Sequence, residues 1–261
     1  MNRYFVVGSR TSKSLSPIIF NHWFGVYKIL AKYSFVELVK KNFDKKISDL
    51  IKNKHTKGLN ITIPHKTNII KHLGGLDKHS KTIGAVNCVL INKTTKGFNT
   101  DWSGYKSLLS GLGIKKTNKI LILGCGGASR AIYYSLLKRN HNNILVFNRE
   151  KKIINLENNK IKTMNFNQIE KHLTKASLII NTTPTNPLTT KQCTLIRAET
   201  ILSDIVYAPK NTKFLKRFNK NKKIYGIQML INQASLCFKI WFGFRPEADN
   251  ALIEKLERKI Q

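Results

Sequence analysis

The run Leu123-Gly124-Cys125-Gly126-Gly127-Ala128-Ser129-Arg130 follows an apolar stretch, Lys119 to Leu123, and precedes helically spaced residues from Ala131 to Lys138. Glycines between a strand and a helix let backbone N–H groups approach a pyrophosphate. Ser129 stands where a third glycine is usual. The next apolar run, Ile144 to Phe147, ends in Asn148-Arg149. That position faces the adenosine ribose. An acidic residue there would bind a 2′-hydroxyl, whereas arginine accommodates a 2′-phosphate. Glycine turn and arginine together read as an NADP site.

Further polar clusters sit at strand ends or turns: Ser12-Lys13-Ser14-Leu15-Ser16-Pro17, Asn60 to Lys66, Gly84 to Asn87, and Asn99-Thr100-Asp101. Ligands of α/β sheets bind beyond the carboxyl ends of strands, so these groups could converge on a polyhydroxylated molecule. Pro64 predicts that Lys66 lies in the first turn of a helix, where the helix field would help it carry a proton. A solvated lysine is the plainer alternative. Asp101 could be a carboxylate of the site or a cap on a helix starting at Trp102. Ser16 before Pro17 reads as an N-cap. Asn60 and Thr62 share one face of their strand, which could simply be polar and solvated. Asn87 could lie on an edge strand. Gln233, among apolar residues of a helix, is either a surface amide or a buried one needing partners. The seven histidines show no metal-ligand spacing, and His65 reads as a solvated neighbour of Lys66. Cys125 reads as a small filler within the glycine turn.

The elements that must carry these residues alternate strand and helix, which predicts an α/β protein. Strands are expected at 4–7, 33–39, 58–63, 119–123, 144–147, 177–181, 200–206 and 223–225. Helices are expected at about 16–30, 45–51, 131–138, 227–242 and 248–259. Residues 85–91 and 98–100 read as a hairpin.

The chain has 261 residues, 46 Lys plus Arg against 14 acids, and a formal charge of +32. Such a charge usually implies a polyanion partner. Here the lysines are scattered among asparagines and isoleucines, which fits a compositional bias rather than a nucleic-acid arm. The expectation is no specific nucleic-acid partner and no membrane partner. Four unclustered cysteines suit reduced thiols in the cytoplasm, and Tyr4–Val7 is too short for a signal peptide.

Taken in order, these clusters resemble the shikimate dehydrogenase family over nearly the whole chain. Ser14-Leu-Ser16-Pro17 matches Ser-x-Ser-Pro, Asn60 to Lys66 matches Asn-x-Thr-x-Pro-x-Lys, and Gly84 to Asn87 matches Gly-Ala-x-Asn. Asn99-Thr100-Asp101, Gly124 to Ser129 and Asn148-Arg149 match three more motifs. Gly226-Ile-Gln-Met229-Leu-Ile-Asn-Gln233-Ala234 matches the last. The resemblance implies an N-terminal α/β substrate domain, 1–101, completed by C-terminal helices, 226–261. A Rossmann-type NADP domain, 102–225, is inserted between them, with the active site in the cleft. It implies reversible NADPH-linked reduction of 3-dehydroshikimate to shikimate. Lys66 and Asp101 would be the proton-transfer pair. Ser14, Ser16 and Tyr207 would hold the substrate carboxylate, and Asn60, Thr62, Asn87, Asp101 and Gln233 the ring hydroxyls. Gly124, Gly126, Gly127, Ala128, Ser129, Asn148, Arg149, Lys151, Gly226 and Met229 would hold the cofactor. No metal is implied, and monomer and homodimer both stay open.

The chain departs from the family pattern in places. Arg10 and Lys13 replace a proline and a histidine before the serine pair, Cys88 replaces a threonine, and Glu150 follows Arg149 where threonine is common. Glu150 would repel a 2′-phosphate if it turned inward, while Lys151 and Lys152 would offset it. Two rival readings follow: a quinate/shikimate dehydrogenase with relaxed NAD/NADP use, and a catalytically weakened NADP-binding relative.

Overall fold

The computed structural model describes residues 1–156 and 159–261. Its contacts divide the chain into two units, residues 1–100 with 233–257, and residues 101–232 with 258–261.

The first unit is built on a mixed sheet. Its strands are β1 (Asn2–Gly8), β2 (Ala31–Glu37), β3 (Thr56–Ile61), β4 (Gly75–Leu76), β5 (Cys88–Ile91) and β6 (Thr95–Phe98). Their order is β2-β1-β3-β5-β6-β4. β1 runs parallel to β2 and β3, while β5 is antiparallel to both β3 and β6. Consequently the ends of β1, β3 and β6 and the start of β5 lie on one edge of the sheet. The chain also forms helices α1 (Ser16–Val26), α2 (Phe43–Lys52) and α3 (Lys78–Ile83).

Val7, Leu38, Phe43, Ile47, Leu59, Ile61 and Val89 belong to one buried cluster, which also receives α2. A second cluster is aromatic. Phe20 of α1 stacks on Tyr33 at 4.4 Å, and Tyr4 meets Trp241 at 4.8 Å. Trp241 and Phe238 come from the long helix α8 (Gly226–Phe242), so the late segment seals the sheet formed by the early one. Burial in this cluster pushes the Tyr4 hydroxyl up to about 12. Helix α9 (Asn250–Ile260) is tied back to α1 by His22, whose Nε2 lies 2.9 Å from the Asp249 carboxylate.

The second unit holds a fully parallel sheet. After α4 (Asp101–Leu108) come β7 (Lys119–Leu123), α5 (Gly127–Leu137), β8 (Ile144–Asn148), β9 (Ile153–Leu156), β10 (Asn159–Lys162), β11 (Met164–Asn165), α6 (Glu170–Leu173), β12 (Ala176–Asn181), α7 (Thr190–Thr194), β13 (Ile201–Asp204) and β14 (Lys223–Tyr225). The sheet order is β11-β8-β7-β12-β13-β14. Numbered by appearance in the sheet this is 3-2-1-4-5-6, the dinucleotide-binding order, with its switch point between β7 and β12. Strands β7 and β12 are buried on both faces, as their unbroken apolar runs predict. The expected α/β class and Rossmann-type sheet are therefore present. β9 and β10 form an antiparallel hairpin that sequence periodicity did not mark.

Gly58 of β3 lies under Trp241: an added Cβ would sit 2.6 Å from Trp241 Nε1 and 2.8 Å from Tyr4. Gly58→Ala is accordingly expected to cost about 1–3 kcal/mol through overpacking. A urea unfolding midpoint equal to the parent's would show that the aromatic cluster yields freely.

Candidate active site

Four polar motifs meet at the edge of the first sheet. Ser14 and Ser16 follow β1. Asn60 is the penultimate residue of β3, Asn87 precedes β5, and Asn99-Thr100 follows β6. Their backbones are cross-linked. Val86 N–H donates to Lys66 O at 2.7 Å, and Ile61 N–H donates to Asn87 O at 2.9 Å. At Gly8 there is no room for a Cβ, because it would meet Thr62, the Ile63 carbonyl and Thr11. That contact draws the Ser14 loop and the Thr62 turn together.

The side chains form a buried lattice. Asn87 Oδ1 accepts Thr100 N–H at 2.6 Å, and its Nδ2 donates to Thr100 Oγ1 at 3.0 Å and Gln233 Oε1 at 3.1 Å. Asn60 Nδ2 donates to Asn87 O and to Cys237 Sγ, both at 3.0 Å, and its Oδ1 accepts the Tyr33 hydroxyl at 2.8 Å. Asn99 donates to Ala85 O at 2.8 Å. Asn60, Asn87, Asn99, Thr100 and Gln233 are all buried. Such amides are tolerated because nearly every donor finds an acceptor. Cys88, at the start of β5, is a packing thiol: burial pushes it far from the thiolate form.

Lys66 does not lie in the first turn of a helix. Residues 62–65 close a turn through His65 N–H to Thr62 O, 2.9 Å, and the short 3-10 helix begins only at Asn68. A helix field therefore does not act on Lys66 as predicted. His65 is not solvated. It is buried, stacks on Phe43 at 4.0 Å, and its Nε2 lies 2.6 Å from Leu38 O. Ser16 is the first residue of α1 rather than its side-chain cap, and Ser14 Oγ accepts the Ser16 N–H at 3.2 Å. β3 ends before Thr62, which is half-buried. Asn87 is not on an edge strand, since β5 runs between β3 and β6. Gln233 is a buried amide, not a surface one. Thr100 of the expected Asn99-Thr100-Asp101 cluster is part of the lattice, and Tyr33 and Cys237, which the sequence did not mark, complete it. A tyrosine in a strand and a cysteine in a helix carry no polar signal in sequence.

In the second unit, Asp101 is buried and opens α4 itself, one residue before the expected start. This helix is pinned by the Tyr105 hydroxyl, which donates to Ser203 Oγ at 2.9 Å, and by Trp102 packed edge-on to Tyr134 at 5.3 Å.

The glycine turn joins β7 to α5. Gly124 has φ +105°, and an added Cβ would lie 2.6 Å from Thr182 Oγ1, so only glycine fits. Its N–H donates to Phe147 O at 2.7 Å. Ser129 Oγ donates to Gly124 O at 2.8 Å, locking helix to turn where a third glycine would otherwise allow close packing. Gly126 precedes the first residues of α5, Gly127, Ala128 and Ser129, and a Cβ there meets no described atom within 4 Å. Room above helix N–H groups suits a phosphate, so these residues fit a dinucleotide. Burial pushes the Cys125 thiol up, with Arg130 and Lys152 pulling against it, as expected of a filler.

Beyond β8, Arg149 and Lys151 are exposed. Asn148 Nδ2 donates to Glu150 O at 2.9 Å, and Asn165 Nδ2 donates to Arg149 O at 2.7 Å. Glu150 pairs with Lys152 at 3.4 Å, so its charge is partly offset by an adjacent lysine. Gly226, at the start of α8, packs where a Cβ would lie 2.5 Å from Ile205 O, and Met229 one turn on is buried. Tyr207 is half-buried on the turn after β13. Among the described residues, His, Cys, Asp and Glu form no metal-binding group.

Asn87→Ala removes the acceptor of the buried Thr100 N–H and a donor to Gln233. The expected loss is about 1–3 kcal/mol, the cost of orphaned buried partners. An unchanged urea unfolding curve would contradict the structural weight given to this amide.

Residues 6–89 match the shikimate dehydrogenase substrate binding domain, and residues 109–219 match the shikimate / quinate 5-dehydrogenase domain. The shikimate dehydrogenase (NADP(+)) of Staphylococcus haemolyticus is 34% identical over 98% of this chain and 99% of its own length. The crystal structure of shikimate dehydrogenase from Aquifex aeolicus superposes with TM-score 0.85 at 32% identity, covering 99% of this chain and 98% of that one. That of shikimate 5-dehydrogenase from Thermus thermophilus in complex with NADP(H) and shikimate gives TM-score 0.82 at 26% identity, with both chains covered in full. Similarity of this depth spans both units, and the chain belongs to the shikimate dehydrogenase family.

Proposed function

We propose that this protein reduces 3-dehydroshikimate to shikimate with NADPH, and catalyses the reverse oxidation, in the route to the aromatic amino acids. The observation carrying this assignment is the cross-linking of the Asn60–Lys66, Asn87 and Asn99–Thr100 motifs at the sheet edge where β1 also ends, in a chain that also holds a dinucleotide turn. In this assignment residues 1–101 and 226–261 serve the substrate, and 102–225 serve NADP.

Ser14, Ser16 and Tyr207 hold the substrate carboxylate. Thr62, Asn87 and Gln233 bind ring hydroxyls, and Asn60, whose N–H groups are engaged by Asn87 O and Cys237, takes part as an acceptor. When bound, NADP supplies the hydride acceptor or donor. Lys66 and Asp101 manage the proton on the oxygen that is oxidised or reduced, since removing a hydride from a secondary alcohol requires loss of the hydroxyl proton. The N–H groups at Gly126, Gly127, Ala128 and Ser129 would hold the pyrophosphate, and Gly124, Gly226 and Met229 belong to the same cofactor site in this assignment. Asn148, Arg149 and Lys151 receive the 2′-phosphate. We place the enzyme in the cytoplasm, as monomer or homodimer, consistent with its four free cysteines. Among the described residues no helix is long and apolar enough to cross a membrane. Its charge of +32 is expected to give only salt-sensitive binding to nucleic acid.

Lys66→Ala and Asp101→Asn are each expected to lower kcat about a hundredfold or more while thermal unfolding stays cooperative. Near-normal kcat in both variants would remove the pair from the reaction. Arg149→Ala is expected to raise KM for NADP+ about tenfold or more and leave KM for NAD+ unchanged. Equal effects on the two cofactors would show that Arg149 does not read the 2′-phosphate.

A further inference from the structure

Asp204 is 1% exposed and has no part in the roles assigned above. It closes β13, paired in register with Asn181 at the end of β12. Its Oδ1 accepts Val206 N–H at 3.0 Å. Its Oδ2 accepts the Thr212 hydroxyl at 2.6 Å and Asn181 Nδ2 at 3.2 Å. All three neighbours donate, which suits an ionised carboxylate, an acceptor only. Burial pushes this carboxyl up, and the Thr212, Val206 and Asn181 donors pull it back. A buried charge is costly to hold and weak evidence of net stability, so its placement calls for another use.

The donors bracket one turn. Val206 opens it, Thr212 closes it, and Tyr207 lies between. Thr212 Oγ1 also accepts Leu215 N–H at 3.2 Å, which fixes the exit of the turn. Gly226 presses on its entrance, against Ile205 O. Asn181 extends the same framework in the other direction. Its Oδ1 accepts the Thr183 hydroxyl at 2.7 Å, and neighbouring Thr182 donates to Leu123 O at 2.7 Å beneath Gly124.

We infer that Asp204 is a positioning residue: it sets the 205–212 turn so that Tyr207 meets the substrate carboxylate. This rests on the assignment of Tyr207 to that carboxylate, and the test separates the two. Initial rates with shikimate and NADP+ are compared for Tyr207→Phe, Asp204→Asn, Thr212→Val, Thr212→Ser and the Tyr207→Phe/Asp204→Asn double variant. Asp204→Asn and Thr212→Val are expected to raise KM for shikimate about tenfold, with kcat within about twofold and KM for NADP+ unchanged. Thr212→Ser, which keeps the hydroxyl, is expected to restore the parent's KM. The double variant is expected to be no worse than Tyr207→Phe alone, because both changes remove one contact.

If Tyr207→Phe raises KM for shikimate but Asp204→Asn and Thr212→Val do not, Asp204 does not position the tyrosine and the inference falls while the Tyr207 assignment stands. Additive losses in the double variant overturn it in the same way. If Tyr207→Phe leaves KM unchanged, the assignment fails and the inference fails with it. Parallel rises in KM for shikimate and NADP+ would mark a general loss of structure and also overturn it. Should Asp204→Asn not fold, the contrast between Thr212→Val and Thr212→Ser decides.

Discussion

A buried amide cannot be left unpaired, and Asn87 is where that constraint falls hardest on this molecule. Its side chain takes the Thr100 N–H and gives hydrogen bonds to Thr100 and Gln233, while its carbonyl receives Ile61 N–H and Asn60 Nδ2. Three chain segments distant in sequence are thereby held at one sheet edge. Without this satisfaction each amide would be a liability in an apolar surround. With it, polar groups capable of reading hydroxyls are held rigid before any ligand arrives, which is what selective binding of a polyol requires.

A comparable constraint governs the second unit. Gly124 stands against Thr182 so closely that no side chain fits, and Thr182 is itself hydrogen-bonded to Leu123 O. The glycine turn is thus shaped by the neighbouring strand end, not by its own sequence alone. Parallel pairing of β7 with β12 and β12 with β13 carries the same rigidity on to Asn181 and Asp204. The turn that presents Tyr207 grows from that end. The residues proposed to act lie at the carboxyl ends of these strands, where backbone groups leave the ladder and become available.

Much of this was legible in the sequence. The apolar residues 120–123 and 178–180 are short but uninterrupted, the first followed at once by Gly124 and the second by a polar turn reaching Pro184, so buried strands follow from hydrophobicity. The glycine turn between β7 and α5 stands where the sequence puts it, because its steric demand at Gly124 is local to the chain. Other features were not legible. Pro64 suits a helix start and so predicts Lys66 on a helix, yet the chain first closes a turn and sends His65 into the core against Phe43. Tertiary packing overrode local preference there. Tyr33 and Cys237 complete the amide lattice through contacts 27 and 177 residues from Asn60 along the chain, a relation that spacing cannot encode. The β9–β10 hairpin has only four residues in each strand, too short for period-2 alternation to stand out. Asp204 reads as one polar residue ending an apolar run; only its three donors reveal that it is caged.

The most direct measurement is an absorbance assay at the NADPH band with purified protein, comparing shikimate and quinate, each with NADP+ and with NAD+. Shikimate with NADP+ is expected to give the highest kcat/KM of the four combinations. A higher kcat/KM with quinate or with NAD+, or no reduction of either cofactor, would contradict it.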